Sequence, residues 1–303
     1  MQTIGDDVEK AKVTRSYLFV PADSERKMLK ATESGADALI LDLEDAVLPE
    51  ARPNARVVVA EFIRDRSDAW VRINPIDSSD ASADLDADLS SQPAGIVLPK
   101  PVSGADVVRL SERLDELERR HGIDPGKTRI MALCTETPRA LFTLDSYVDA
   151  TPRLAALSWG AEDLSTAIGA RSNRDEAGNW LPVYELARSS CLLAAAAAGV
   201  AAVDTVFTDF RDEAGLVGYA VKACRDGFAG MLAIHPAQIG PINAAFSPSK
   251  SDIERAQRIV DLFAANPGAG TLGMDGRMID RPHLLQAERL LQLAIRLETQ
   301  KEG

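Results

Sequence analysis

Two carboxylates, Glu136 and Asp163, follow apolar segments that have the composition of buried strands, residues 129–134 and 154–158. A pattern typical of a helix start follows each carboxylate. In a barrel of parallel strands the carboxyl ends of the strands open on one face, and the loops after them build the active site. Carboxylate oxygens are the ligands that Mg²⁺ prefers. The pair therefore predicts a site for a hard divalent cation.

Each carboxylate also has a simpler interpretation. Glu136 could be a solvated loop carboxylate or the partner of a helix N-cap. Asp163 could stabilise the start of the following helix through the helix macrodipole. The residues alone leave these alternatives open.

The elements that must position this pair alternate between strand and helix patterns. Eight segments are predicted as strands, at residues 16–20, 38–42, 70–74, 95–99, 129–134, 154–158, 203–207 and 228–233. Helices are predicted at residues 24–33, 52–66, 103–120, 183–199 and 211–225, with a weak helix within the loop 77–91. Eight alternating strands predict an α/β fold, a closed (β/α)8 TIM barrel. No glycine-rich phosphate loop follows the first strand, which disfavours a dinucleotide-binding fold.

The domain prediction places an N-terminal tail at residues 1–14, the catalytic barrel at 15–247, and C-terminal helices with a lid at 248–303. Two more helices are predicted at residues 249–264 and 283–298. Between them, residues 266–282 contain four glycines and are too glycine-dense for a barrel core. We expect this segment to be a mobile or partner-facing lid.

Composition limits the classes of function. The chain has 303 residues and a formal net charge of −12, which disfavours nucleic acid as a partner because phosphate binding needs a clustered basic face. No apolar run is long enough to span a bilayer and the N-terminus lacks a signal-peptide core, so we expect a cytoplasmic protein without a membrane partner. The three cysteines, Cys134, Cys191 and Cys224, have no metal or disulfide spacing.

Eight short motifs carry a resemblance to one enzyme family, in that family's order. They are RSYLFVP at 15–21, GADALILDLEDAV at 35–47, VRIN at 71–74, LPK at 98–100, ET at 136–137, GAEDL at 160–164, IHPAQ at 234–238 and GRMID at 276–280. Together they resemble the CoA-ester lyases related to the citrate lyase β subunit, within the HpcH/HpaI aldolase superfamily. The resemblance runs from about residue 15 to about residue 296 and covers nearly the whole chain.

The resemblance implies a Mg²⁺-dependent lyase, with Mn²⁺ as an alternative metal. It would cleave or form a carbon–carbon bond in a 3-hydroxyacyl-CoA such as malyl-, citramalyl- or citryl-CoA, giving acetyl-CoA and a keto acid. Glu136 and Asp163 match the family's metal ligands, and Glu136 would also hold the substrate there. Arg72 matches the catalytic, substrate-binding arginine. Asp280 matches the lid aspartate, a catalytic acid/base that the family supplies across a subunit interface.

Further expectations concern coenzyme A and assembly. Coenzyme A is expected as part of the substrate, and Arg26, Lys27 and Lys30 are candidates for its phosphates, although a charged helical face is normally just solvated. The resemblance also implies a homo-oligomer, with a trimer favoured. A histidine, His235, could be a general base or could fix the last barrel turn.

The same residues have competing interpretations. Arg72 could pair with Asp42 or Glu44 in an ion network, and Asp280 could serve only a turn. Asp42, Glu44 and Asp45 could act toward metal-bound water, or could form a solvated acidic strand end.

The sequence departs from the family pattern at three places. Val102 stands where family members commonly carry an acidic residue, Met231 where a lysine is common, and Ala22 where a glycine is usual. The first two departures bear on substrate choice. The alternative functions are a thioesterase for the same acyl-CoA, an aldolase for free 2-keto acids, and a catalytically silent CoA-binding or scaffold subunit.

Overall fold

The structure is a computed structural model that describes residues 12–302 except residues 65 and 67. Residues 15–243 form one compact unit. The described residues up to Thr14 and those from Ala244 onward form a second unit.

The first unit is a closed barrel of eight parallel strands, each paired with the next and the eighth with the first. The predicted (β/α)8 barrel is therefore confirmed. The strands are β1 (Ser16–Pro21), β2 (Ala38–Asp42), β3 (Ala69–Arg72), β4 (Gly95–Leu98), β5 (Arg129–Leu133), β6 (Leu154–Ser158), β7 (Ala201–Asp204) and β8 (Gly230–Ala233).

Helices follow the strands in the order that the sequence pattern predicts. They are α1 (Glu25–Thr32), α2 (Arg52–Ile63), α3 (Ser79–Asp88), α4 (Gly104–His121), α5 (Ala161–Ala167), α6 (Pro182–Ala197), α7 (Glu213–Asp226) and α8 (Ile239–Ala245). Short 3-10 turns lie at Pro49–Ala51, Leu89–Ser91, Ala140–Phe142, Leu144–Tyr147 and Pro236–Gln238.

The barrel interior is a hydrophobic cluster to which every strand contributes. Its members include Tyr17, Ile40, Trp70, Val97, Met131, Leu133, Ala156, Val203 and Leu232. Strands that are buried on both faces are typical of parallel sheets, which explains their continuous apolar runs. A packed interior holds the carboxyl ends of the strands in fixed positions, so polar side chains at those ends start from a rigid backbone.

Three local predictions differ from the structure. The seventh strand, predicted at residues 203–207, is Ala201–Asp204. The helix expected directly after Glu136 is wrong: two 3-10 turns follow, and Thr143, with φ of −132°, separates them. The weak helix within residues 77–91 is a ten-residue helix, α3, whose N-cap Ser78 accepts a hydrogen bond from Ala81 N–H. Its buried Asp84 accepts hydrogen bonds from Arg56 and Asn74, which anchors this acidic helix.

The second unit contains α9 (Lys250–Ala265), a hairpin of β9 (Thr271–Met274) and β10 (Arg277–Asp280), and α10 (Arg281–Glu302). The hairpin lies within the segment expected to be a lid loop. Its turn is Asp275-Gly276, with φ of 52° and 75°, a dipeptide typical of tight hairpin turns. Ile279 is buried in this unit's own core with Ile259 and Phe263.

Candidate functional site

Glu136 lies just beyond β5 and is only 3% exposed. The backbone N–H of Lys100, after β4, donates a 2.6 Å hydrogen bond to Glu136 Oε2. Gly160, after β6, packs against the same side chain so closely that a Cβ there would lie 2.7 Å from Glu136 Cγ. Neighbouring strands on both sides therefore fix the position of this carboxylate.

Asp163 lies in the first turn of α5 and not at the end of β6 itself. The helix N-terminus favours a carboxylate, as the simpler interpretation of this residue expects. Asp163 nevertheless lines the same pocket of about 300 Å³ as Glu136 and Arg72. The structure thus brings three of the four predicted catalytic and metal-binding residues to one pocket at the carboxyl end of the barrel.

The electrostatics around Glu136 favour a cation beside it. Burial raises the pKa of Glu136 well above its usual value, and the negative charges of Asp163 and Glu44 raise it further. The hydrogen bond from Lys100 and the charge of Arg72 oppose that rise in pKa only in part. A bound cation would remove the repulsion among these carboxylates.

Arg72 is the last residue of β3, and two carboxylates hold its guanidinium. Its Nε and Nη2 donate to the two oxygens of Asp42 at 2.7 and 2.6 Å. Its Nη1 lies 3.1 Å from Glu44 Oε2. The ion network of Arg72 with Asp42 and Glu44, considered above as an alternative role for this arginine, is therefore present. It fixes the orientation of the guanidinium, and Arg72 also lines the pocket. A guanidinium has five N–H donors, so these pairings leave donors for a substrate oxygen.

Lys100 is the residue of this site that the sequence reasoning missed. Its Nζ lies 2.6 Å from Glu44 Oε1, 3.4 Å from Asp45 Oδ2 and 3.2 Å from Asp163 Oδ1. Burial alone would lower the pKa of the ammonium, but the hydrogen bond to Glu44 and the surrounding carboxylates raise it above its usual value. Its place in the LPK motif at the end of β4 could have indicated it, because that strand end faces the same opening.

The donor set fits Mg²⁺ or Mn²⁺. Five carboxylates are linked to two cationic side chains here, which leaves three negative charges; the residues are Asp42, Glu44, Asp45, Glu136 and Asp163 with Arg72 and Lys100. Within the described part of the chain, no three or more His, Cys, Asp or Glu side chains are arranged to hold a metal by themselves, so the remaining ligands would have to come from substrate and water. Two carboxylates completed by substrate oxygens and water are a usual way of binding Mg²⁺.

Asp280, the predicted acid/base, ends β10 in the second unit. Its Oδ1 lies 2.5 Å from His283 Nδ1, and its side chain is 31% exposed. No motif in the sequence indicates a pairing with His283. The backbone N–H of Asp280 also donates to His283 Nδ1 at 3.2 Å, so the imidazole is held against this carboxylate.

The remaining candidates lie on the barrel unit. Arg26, Lys27 and Lys30 are exposed on α1, the helix after β1. His235 accepts a hydrogen bond from Ala237 N–H through Nδ1 and caps the turn Pro236–Gln238. This contact supports the structural interpretation of His235 over that of a general base.

Comparisons with known proteins agree with this geometry. The family model described as HpcH/HpaI aldolase/citrate lyase matches residues 15–236. The chain belongs to this family. Among curated proteins, citrate lyase subunit beta of Haemophilus influenzae is 32% identical over 289 residues, covering 93% of this chain and 97% of that protein. The mitochondrial citramalyl-CoA lyase of Rattus norvegicus is 31% identical over 300 residues, covering 92% of this chain and 86% of that one.

A solved relative shows what a family member binds. The crystal structure of CitE from Mycobacterium tuberculosis in complex with magnesium, acetoacetate and coenzyme A superimposes with a TM-score of 0.78 at 32% identity. It covers 94% of this chain and 99% of that one. The family and fold predicted from the motifs are confirmed, whereas the roles of individual site residues stay predictions. None of the helices within the described residues is long and apolar enough to cross a membrane.

Proposed function

We propose that the chain is a Mg²⁺-dependent carbon–carbon lyase for a 3-hydroxyacyl-CoA of the malyl-, citramalyl- or citryl-CoA class. The observation that carries the proposal is the shared pocket of Glu136, Asp163 and Arg72 at the carboxyl end of the barrel. Relatives named citrate lyase subunit beta and citramalyl-CoA lyase support the reaction class. A family structure with magnesium, acetoacetate and coenzyme A supports the metal and the thioester.

In the cleavage direction, Glu136 and Asp163 would hold the metal, which supplies a positive charge that polarises the hydroxy-carboxylate end of the substrate. Arg72 would donate to a substrate oxygen that gains negative charge, with Asp42 and Glu44 keeping its fork in one orientation. The bond between the hydroxyl-bearing carbon and the carbon next to the thioester breaks. The hydroxyl proton leaves and the second carbon gains a proton, so the products are a keto acid and acetyl-CoA.

We assign the proton transfer to Asp280, as the family resemblance implies, with His283 in contact with its carboxylate. We also propose that the chain forms a homo-oligomer, a trimer, in which Asp280 transfers the proton in the site of a neighbouring chain. We further propose that the protein acts in the cytoplasm.

The pocket is large enough for one end of the substrate and too small for the whole acyl-CoA. A volume of about 300 Å³ suits the small hydroxy-acid end. The rest of coenzyme A would extend outside the pocket, and we propose Arg26, Lys27 and Lys30 as contacts for its phosphates because they are exposed cations after β1.

The test is incubation of the protein with Mg²⁺ and each of malyl-, citramalyl- and citryl-CoA, followed by identification of all products. We expect acetyl-CoA and one keto acid in equal amounts from at least one ester. Free coenzyme A with the intact hydroxy acid would instead indicate the thioesterase. Cleavage of free 2-keto acids alone would indicate the aldolase, and no turnover of any compound would indicate a silent subunit.

A further inference from the structure

Lys100 contacts both carboxylates that we assign to the metal, and the proposed function leaves it without a role. Its backbone N–H donates to Glu136 Oε2 at 2.6 Å. Its side-chain Nζ lies 3.2 Å from Asp163 Oδ1. Lys100, just after β4, therefore contacts the carboxylates that follow the next two strands, Glu136 after β5 and Asp163 after β6.

The backbone of Lys100 has an uncommon conformation that makes the first contact. Its φ is 52°, in the left-handed region that residues with a side chain rarely adopt. Proline stands on either side of it, at positions 99 and 101, and restricts the chain there. Such a conformation persists only where its surroundings enforce it, and it is most common at functional sites.

The side chain of Lys100 makes a second set of contacts, with the acidic segment after β2. Its Nζ lies 2.6 Å from Glu44 Oε1 and 3.4 Å from Asp45 Oδ2. Glu44 is 3% exposed, and its other oxygen, Oε2, lies 3.1 Å from Arg72 Nη1. The ammonium therefore joins the acidic segment after β2 to Asp163, which follows β6.

We propose that Lys100 is a positioning residue that holds Glu136 and Asp163 in place for the divalent cation. Its N–H fixes Glu136, and its ammonium, anchored on Glu44 and Asp45, holds Asp163. The ammonium also competes with the cation for Asp163, so it weakens metal binding while it keeps both carboxylates where the substrate needs the ion. This inference rests on the proposed function, because it presumes that Glu136 and Asp163 hold the metal.

The inference predicts changes of opposite sign. Lys100→Gly removes the ammonium, keeps the N–H and suits a positive φ. In this variant the dissociation constant for Mn²⁺, measured by electron paramagnetic resonance titration of metal-free protein, should fall about tenfold because a positive charge beside the ion is gone. The turnover number for the best acyl-CoA ester should fall at least about tenfold, because Asp163, and with it the ion, is no longer held in position. A residue that only stabilised the fold would lower both metal affinity and turnover.

Two further variants serve as controls. Lys100→Arg keeps the charge and should bind Mn²⁺ within about threefold of the wild-type affinity. Asp149→Gly makes the same substitution at another left-handed residue, with φ of 56°, which is exposed and outside the pocket. It should change neither Mn²⁺ affinity nor turnover. If calorimetry shows that Lys100→Gly does not fold, Lys100→Met is titrated in its place with the same expectations.

Mn²⁺ affinity that is unchanged or weaker after loss of the ammonium would overturn the inference. So would an equal gain in affinity in Lys100→Arg, because charge would then not be the cause. The titration needs no substrate, so it separates this inference from the proposed reaction. Wild-type protein that binds Mn²⁺ but cleaves no ester would reject the reaction, and the affinities would still decide the role of Lys100 in metal binding.

Discussion

Replacing Glu136 by glutamine should stabilise the metal-free protein and abolish its metal-dependent activity. The carboxylate is 3% exposed, and its hydrogen bond from Lys100 N–H can be kept by the amide oxygen of glutamine. The substitution removes a buried charge that lies among the charges of Asp163 and Glu44. We expect the free energy of unfolding to rise by about 1–3 kcal/mol, since buried charges without a full set of partners are destabilising.

The pH dependence of this effect has a definite sign. The pKa of Glu136 is raised in the folded protein, so the folded state binds its proton more tightly than the unfolded state does. That stability is fully present below the usual glutamate pKa of about 4.5 and is lost as pH rises through the raised folded value. The gain from Glu136→Gln should therefore grow with pH.

The assay is calorimetric unfolding of both proteins with a chelator present, from pH about 5 to about 8. For a domain of this size, 1–3 kcal/mol corresponds to a rise in Tm of about 2–10 °C. Added Mg²⁺ should then raise the Tm of the wild type and not of the variant, by mass action. A variant that is less stable than the wild type without metal, or that keeps its Mg²⁺ response, would refute this view of the site.

Four other predictions concern separate contacts. Gly160→Ala places a Cβ 2.7 Å from Glu136 Cγ without straining the backbone, so Mg²⁺ affinity measured by calorimetric titration should fall about tenfold or more; unchanged affinity would contradict the packing. The pKa of Glu118 would be raised by burial, but Arg153 and the N–H groups of Thr128 and Gly126 lower it to about 2. The wild type should therefore lose about 3 kcal/mol of its free energy of unfolding as pH falls from about 4.5 to 2. In urea unfolding, the free energy of unfolding of Glu118→Gln should fall less steeply with decreasing pH, and an equally steep fall in both proteins would contradict this. Asp280→Asn should lower turnover about 10²- to 10⁴-fold with unchanged Mn²⁺ affinity. Mixing Asp280→Ala with Glu136→Gln should restore some activity if the two residues meet across subunits, and none if each site lies within one chain.

The barrel could be predicted from the sequence because strand-length apolar runs recur between helical patterns, and both faces of a parallel strand are buried. Glu136 could be found because it follows a strand end, and the strand ends share one opening, whereas Arg72 was indicated by the family resemblance. Asp163 was found for a partly wrong reason, since it lies in a helix turn and not at a strand end.

The rest depended on backbone geometry or on contacts between distant segments. The position of the Lys100 ammonium depends on a left-handed residue whose φ no composition rule predicts. The 3-10 turns after Glu136 are separated by Thr143, whose non-helical backbone no composition rule predicts. The C-terminal hairpin, in contrast, could have been read from Asp275-Gly276, a dipeptide that favours such turns.

The most direct test of the central claim is to follow which bond of the substrate breaks. Citramalyl-CoA, or whichever ester of the class is turned over fastest, is mixed with enzyme and Mg²⁺, and acetyl-CoA, free coenzyme A and keto acid are measured together by mass spectrometry. We expect acetyl-CoA and keto acid to appear in equal amounts, to cease with a chelator, and to be absent with Glu136→Gln. Free coenzyme A appearing in place of acetyl-CoA, or cleavage that continues without a divalent cation, would contradict a metal-dependent carbon–carbon lyase.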